Sequence, residues 1–182
     1  PHYISPTVDY DVSSITVFEY LTNQFTNENA LSERYDNGSS LSKYISKKIT
    51  LRDGFDAEDI RLWLTAYRPL NTEVAVYVKF ISDIDATPLA EMPWTRLALA
   101  DNANLRSSST NLEDYKEFEF ILPSVAQTAN NGAWNAAGEF RYIGPEGEIY
   151  ENYKHFIIKI VLSANGQNAI PKVKDIRAIA LT

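Results

Sequence analysis

Four carboxylates crowd into seven positions of this chain, Asp53, Asp56, Glu58 and Asp59 in "DGFDAED". Side-chain oxygens spaced this closely are the ligands a hard cation such as calcium takes. A helix-flanked calcium loop needs oxygens at alternate positions, a glycine at the sixth and a closing glutamate. Here Gly54 comes second, and the strand-like run "DIRLWLTAY" follows in place of a helix. Asp53-Gly54 is a turn pair, and Asp56 and Asp59 can accept local backbone hydrogen bonds. The spacing therefore predicts a solvated turn that introduces a buried strand, with a calcium loop at Asp53, Asp56, Glu58 and Asp59 as the alternative.

A second acidic set, Glu146, Glu148 and Glu151 in "EGEIYE", loosely resembles the Glu-x-Asp-x-x-Glu strand of jelly-roll glycoside hydrolases. In that family the alternating carboxylates act as nucleophile, helper and acid on one strand of a cleft. Retaining hydrolysis needs its two catalytic carboxyls about 5–5.5 Å apart on rigid backbone. This chain has Glu148 for the central Asp, Gly147 for the apolar residue between, and Pro145 just before. Those exchanges predict a turn, and with it no hydrolase.

Other nucleophiles and bases lack company. His2 and His155 have no paired spacing, and His155 opens an apolar run as a strand-edge residue. No Gly-x-Ser-x-Gly elbow and no Gly-rich phosphate loop occurs. Glu117 and Glu119 alternate with Phe118 and Phe120, as the wet side of an amphipathic strand does. No catalytic residue and no cofactor is expected. Aromatic rings offer a binding chemistry instead. Trp63 and Tyr67 share one face of a predicted strand, with Tyr77 beyond the "RPLNTE" turn, a possible stacking platform for sugar. Packing in a second layer is the simpler explanation, because an inner sandwich face also takes large rings. Trp134, in a predicted surface loop, is the better candidate contact for a glycan or a partner.

The elements that must position these residues read as strands. "KYISKKITL" places Ile45, Ile49 and Leu51 on one face, with Lys43 and Lys47 together and solvated. "DIRLWLTAY" alternates Ile60, Leu62, Leu64 and Ala66 with Arg61, Trp63, Thr65 and Tyr67. "EVAVYVKFI" sets Val74, Val76, Val78 and Phe80 against Ala75, Tyr77, Lys79 and Ile81. "YKEFEFIL" sets Phe118, Phe120 and Leu122 against Glu117, Glu119 and Ile121. "HFIIKIVLS" carries Phe156, Ile158, Ile160 and Leu162 on one side, with Lys159 interrupting the other, and "VKDIRAIALT" closes the set. "RPLNTE" reads as a short hairpin connection, and 144–148 and 164–171 read as further turns. Residues 123–138 read as a long surface loop. No window carries helical periodicity over a dozen residues and no internal repeat is visible. The pattern predicts an all-β fold, an antiparallel β-sandwich of jelly-roll-like form, over 42–182. Residues 1–41 are expected to hold one more strand, "SSITVFEYLT", and an Asn/Ser-rich loop or arm able to contact a partner.

Bulk properties narrow the function classes. At 182 residues, with 45% hydrophobic and 23% charged residues, the chain can bury a core. A net charge of -7 argues against nucleic acid, which recruits clustered Lys and Arg; "SKYISKK", with Lys43, Lys47 and Lys48, is too small a basic spot. No stretch is apolar for the ~20 residues of a membrane helix, and "PHYISPTVDYDV" shows no signal-peptide pattern. A start at Pro1 suggests a processed product or a piece of a longer polypeptide. With no cysteine, disulfides, thiol catalysis and Cys-based zinc sites are absent.

The order of segments resembles a known family. "YISKKITLRDGFDA" (44–57), "VYVKF" (76–80), "PW" (93–94), "FIIKIV" (156–161) and "IPKVKDIRAIA" (170–180) are similar to a domain in virion structural proteins of contractile-tailed phages, especially myophages of cyanobacteria. The resemblance covers about residues 42–182. It implies a tail or baseplate location in the virion, a β-sandwich docking other virion subunits in a symmetric assembly, and no enzyme. A carbohydrate-binding module that recognises host-surface glycan is the alternative.

Overall fold

A computed structural model describes residues 42–100, 104–126, 132–144, 146–164 and 169–182. The predicted strand and arm of residues 1–41, His2, Pro145 and parts of two predicted loops lie outside these. Among the described residues the chain is all-β, with antiparallel pairing and no helix, and so none that could cross a membrane. The strands are β1 (Lys43–Ile45), β2 (Ile49–Thr50), β3 (Asp59–Tyr67), β4 (Thr72–Ile81), β5 (Thr95–Arg96) and β6 (Ala98–Leu99). They continue as β7 (Lys116–Ile121), β8 (Ala133–Ala136), β9 (Glu139–Ile143), β10 (Ile149–Tyr150), β11 (His155–Ala164) and β12 (Lys172–Leu181).

Two sheets make the sandwich. One has the order β1-β11-β4-β5, with β2 also on β11; the other runs β12-β3-β7-β6. Alternation decides which side of each strand turns inward. Ile60, Leu62, Leu64 and Ala66 of β3 join Phe118 and Phe120 of β7, with Leu122 just beyond, facing Val74, Val76, Val78 and Phe80 of β4 and Phe156, Ile158 and Ile160 of β11. Each large side chain buried there contributes roughly 1.5–3 kcal/mol of transfer free energy. A third sheet, β10-β9-β8, closes one end through an aromatic cluster, Phe140 lying 5.3 Å from Phe80 and 5.2 Å from Tyr153.

Four local expectations need correction. The run 43–51 is two short strands, because one extra residue between them shifts the register: Ile45 pairs with Lys159 but Ile49 with Phe156. A one-residue slip sends Ile45 and Ile49 to opposite faces. The "RPLNTE" segment is a corner between sheets, since β3 and β4 pair with different neighbours. Thr72 closes it, its N–H and hydroxyl both donating to Pro69 O, with Asn71 at a φ of 63°. Residues 133–143, half assigned to a loop by the sequence, form the β8–β9 hairpin. Ala137 and Gly138, at φ 55° and 90°, supply the two left-handed positions that such a tight turn requires. Finally, β4 and β11 are buried on both faces. Ala75, Tyr77 and Val161 lie beneath Trp94, carried there by the chain after β4.

Candidate functional site

The acidic loop folds around a cation of its own. Arg52–Phe55 is a turn closed by Phe55 N–H to Arg52 O at 3.0 Å, with Gly54 at a φ of 79° as the third residue. The Lys154 side chain, buried, donates to Arg52 O at 2.9 Å, and its ammonium lies 3.5 Å from Asp53 and 3.7 Å from Asp56. Asp59 accepts from the Ile60 N–H at 2.8 Å, while exposed Glu58 is held through its backbone, its N–H donating to Leu181 O and its carbonyl accepting from the Asn135 side chain. Two carboxylates thus face Lys154, one caps its own strand and one faces water. Among the described residues no group of three or more His, Asp or Glu side chains is arranged to hold a metal.

The second acidic set falls on a turn. Gly144 N–H donates to Glu148 O at 2.8 Å, Gly147 N–H to Gly144 O at 3.0 Å, and Gly147 has a φ of 94°. Glu146, Glu148 and Glu151 are all exposed, on a bend followed by a strand of two residues. Beside them the Tyr142 hydroxyl donates to buried Asp85 at 2.9 Å and accepts from Ser82 N–H at 2.8 Å. Burial pushes the Tyr142 hydroxyl far above its ordinary value. Tyr150 stacks on that ring at 4.8 Å. His155 begins β11, with Nδ1 3.0 Å from the Thr50 hydroxyl; burial and the nearby Lys48 lower its pKa.

The aromatic candidates are separated. Tyr67 is buried: its hydroxyl donates to Ser108 O at 3.1 Å and Lys172 lies over its ring at 5.7 Å. Tyr77 belongs to the other sheet, beneath Lys159 at 4.9 Å. Trp63 stays half open, midway across the outer face of β12-β3-β7, where its register neighbours are Arg177 and Glu119. Ion pairs Arg61–Glu119 and Arg177–Glu117 cross the same face. Trp134, half-buried, stands on β8 opposite Arg141 rather than in a loop.

Two features escape the sequence reading. Lys159 is fully buried, its ammonium 4.2 Å from the Trp94 ring centroid, and the Lys79 ammonium lies 5.0 Å from the same centroid. Lys79 donates to Ala90 O at 2.8 Å, and burial lowers its pKa. The break that Lys159 makes in an apolar run was its visible signal; the covering Trp94 had none. The second is an apolar groove of about 360 Å³ between β1 and β12. Comparison with protein-family models, curated proteins and solved structures finds no match to this chain.

Proposed function

We propose that the chain is a non-enzymatic structural domain of a phage tail or baseplate that docks neighbouring virion subunits. One observation supports the reading above others: the segments that resemble the virion family are parts of one mutually supporting frame. Residues 76–80 and 156–161 are the paired central strands, with Val76 opposite Ile160 and Phe80 opposite Phe156. Trp94 covers their outer side, 44–57 forms the flanking edge and the acidic turn, and 170–180 supplies β12. What these segments share is architecture and not a cleft.

The docking surface in this reading is the end where β4 stops and β11 starts. Phe55 is 57% exposed, Ile84 83% and Ile149 57%, on loops tied together by Ser82–Asn152, Tyr142–Asp85 and Lys154–Arg52 hydrogen bonds. Large apolar side chains held in solvent on rigid loops suit burial against another subunit. The test is a cryo-electron density map of the intact contractile tail. We expect the sandwich to be traceable there, with Phe55 and Ile84 buried against neighbours. Absence of the chain from the particle, or robust turnover of a glycan or peptide by the purified chain, overturns the reading.

One observation favours glycan recognition as a second reading: half-open Trp63 flanked by charged hydrogen-bonding partners on an exposed sheet face. A glycan-array signal lost in Trp63→Ala would carry it, and a blank array removes it.

A further inference from the structure

The two ends of the sandwich are unlike. The ten-residue strands β4 and β11 run between them, a separation of roughly 33 Å. At one end, segments 51–58, 82–91 and 146–154 hold nine Asp and Glu against Arg52 and Lys154, a net of -7. Phe55, Ile84 and Ile149 stand in solvent among them. At the other end, segments 42–43, 68–73, 104–116 and 169–174 hold six Lys and Arg against three Asp and Glu, a net of +3. Leu70, 67% exposed, and Leu112, 58% exposed, stand on that surface. Its loops are tied as well. Arg68 N–H donates to Ser107 Oγ at 2.9 Å, Ser107 N–H donates to Arg68 O at 3.0 Å, and the Tyr67 hydroxyl donates to Ser108 O. The ammonium groups of Lys172 and Lys174 lie 5.7 Å from the Tyr67 ring centroid and 5.4 Å from that of Tyr115.

The two surfaces match in kind and oppose in charge. Each presents large apolar side chains on loops fixed by hydrogen bonds, which suits burial against a protein surface. Opposite potentials across an interface favour association, and like potentials brought together are penalised. Two acidic ends therefore repel, as do two basic ends, whereas the acidic end of one molecule fits the basic end of the next. Contact between unlike ends is heterologous, so its repetition builds a ring or an open row rather than a two-fold dimer.

We propose that copies of this chain associate end to end, with Phe55, Ile84 and Ile149 of one molecule packed against Leu70 and Leu112 of the next and the acidic loops facing Lys172 and Lys174. The inference rests on the docking surface of the proposed function and names its neighbour as a second copy. Sedimentation velocity of the purified full chain tests it. Self-association should rise with concentration and weaken about tenfold from roughly 0.1 to 1 M salt, as the screening length falls from about 10 to about 3 Å. Phe55→Ser with Ile84→Ser breaks the acidic end, and Lys172→Glu with Lys174→Glu breaks the basic end. Each double variant alone should stay monomeric. An equimolar mixture of the two should form one-to-one dimers that grow no further, since each variant keeps one intact end, and dimer formation also shows that both are folded. A parent chain that is monomeric throughout, association indifferent to salt or to either double variant, or a mixture that stays monomeric or grows past the dimer overturns the proposal. A monomeric parent leaves the tail reading standing, because the density map can still show this end buried against a different subunit.

Discussion

Strands β11 and β12 are successive, each ten residues long and each alternating, yet they live in opposite surroundings. β11 has strands on both sides and cover on both faces; β12 has one described neighbour and is exposed along most of its length. Their lysines show the contrast best. Lys159 sits in the interior between Trp94 and Tyr77, its charge held against two ring faces. Lys174 stands on a strand with one described neighbour, its ammonium 5.4 Å from the Tyr115 ring centroid. Alternation sets which way a side chain points. The number of strand partners, and whether anything crosses above, sets whether that direction is dry.

The sharpest way to break the comparison is to uncover β11. Trp94→Ala should cost about 3–5 kcal/mol in chemical denaturation, and Ile158→Ala on the inner face about 2–5 kcal/mol. A loss under 1 kcal/mol for either would mean that β11 is no more enclosed than β12.

A middle-sized effect tests the aromatic cluster beside β11 through pH. Burial holds the Tyr153 hydroxyl well above its ordinary value, and it donates to Asp59 O at 2.8 Å. The folded value lies above the unfolded value of about 10. Its contribution is therefore intact below pH 10 and is lost as pH rises from there toward the folded value. Tyr153→Phe should lose about 1 kcal/mol at neutral pH and show a shallower alkaline decline of the unfolding midpoint. Tyr115→Phe, near β12, should change that slope less, and an equal change would erase the distinction.

The smallest effects belong to β12 itself. Ile179→Thr, exposed on the outer face, should stay within about 0.5 kcal/mol of the parent. Glu117→Gln, which breaks the exposed pair with Arg177, should cost roughly 0–1 kcal/mol and less in high salt. A large loss from either would show that the outer face is covered.

Much of this architecture was legible. The inward residues of β3, β4, β7 and β11 are those that period-two alternation selects, because a half-buried strand must separate its faces. Legibility failed where one residue changes the geometry. The extra residue between Ile45 and Ile49 flips a face, and Ala137-Gly138 makes a hairpin without the usual Asn-Gly signature. It also failed where burial depends on distant chain. Nothing near Lys159 announces Trp94, and nothing near Tyr67 announces Ser108. For the candidate site, the bend at Asp53-Gly54 and the turn around Glu146 and Glu148 follow from local turn chemistry. Lys154 as the cation facing Asp53 and Asp56 does not, being about a hundred positions away. The suggested grouping of Trp63, Tyr67 and Tyr77 presumed a hairpin where the chain instead changes sheets.

That change of sheet also bears on how the chain assembles. Because β4 leaves its sequence neighbour β3, its partner across the centre is β11, and Val76 meets Ile160 only after 84 positions of chain have been drawn into a loop. The entropy of that closure opposes folding before any of the core side chains has gained its contacts. Local hairpins can form early, but the step that sets the pace is the meeting of two distant strands.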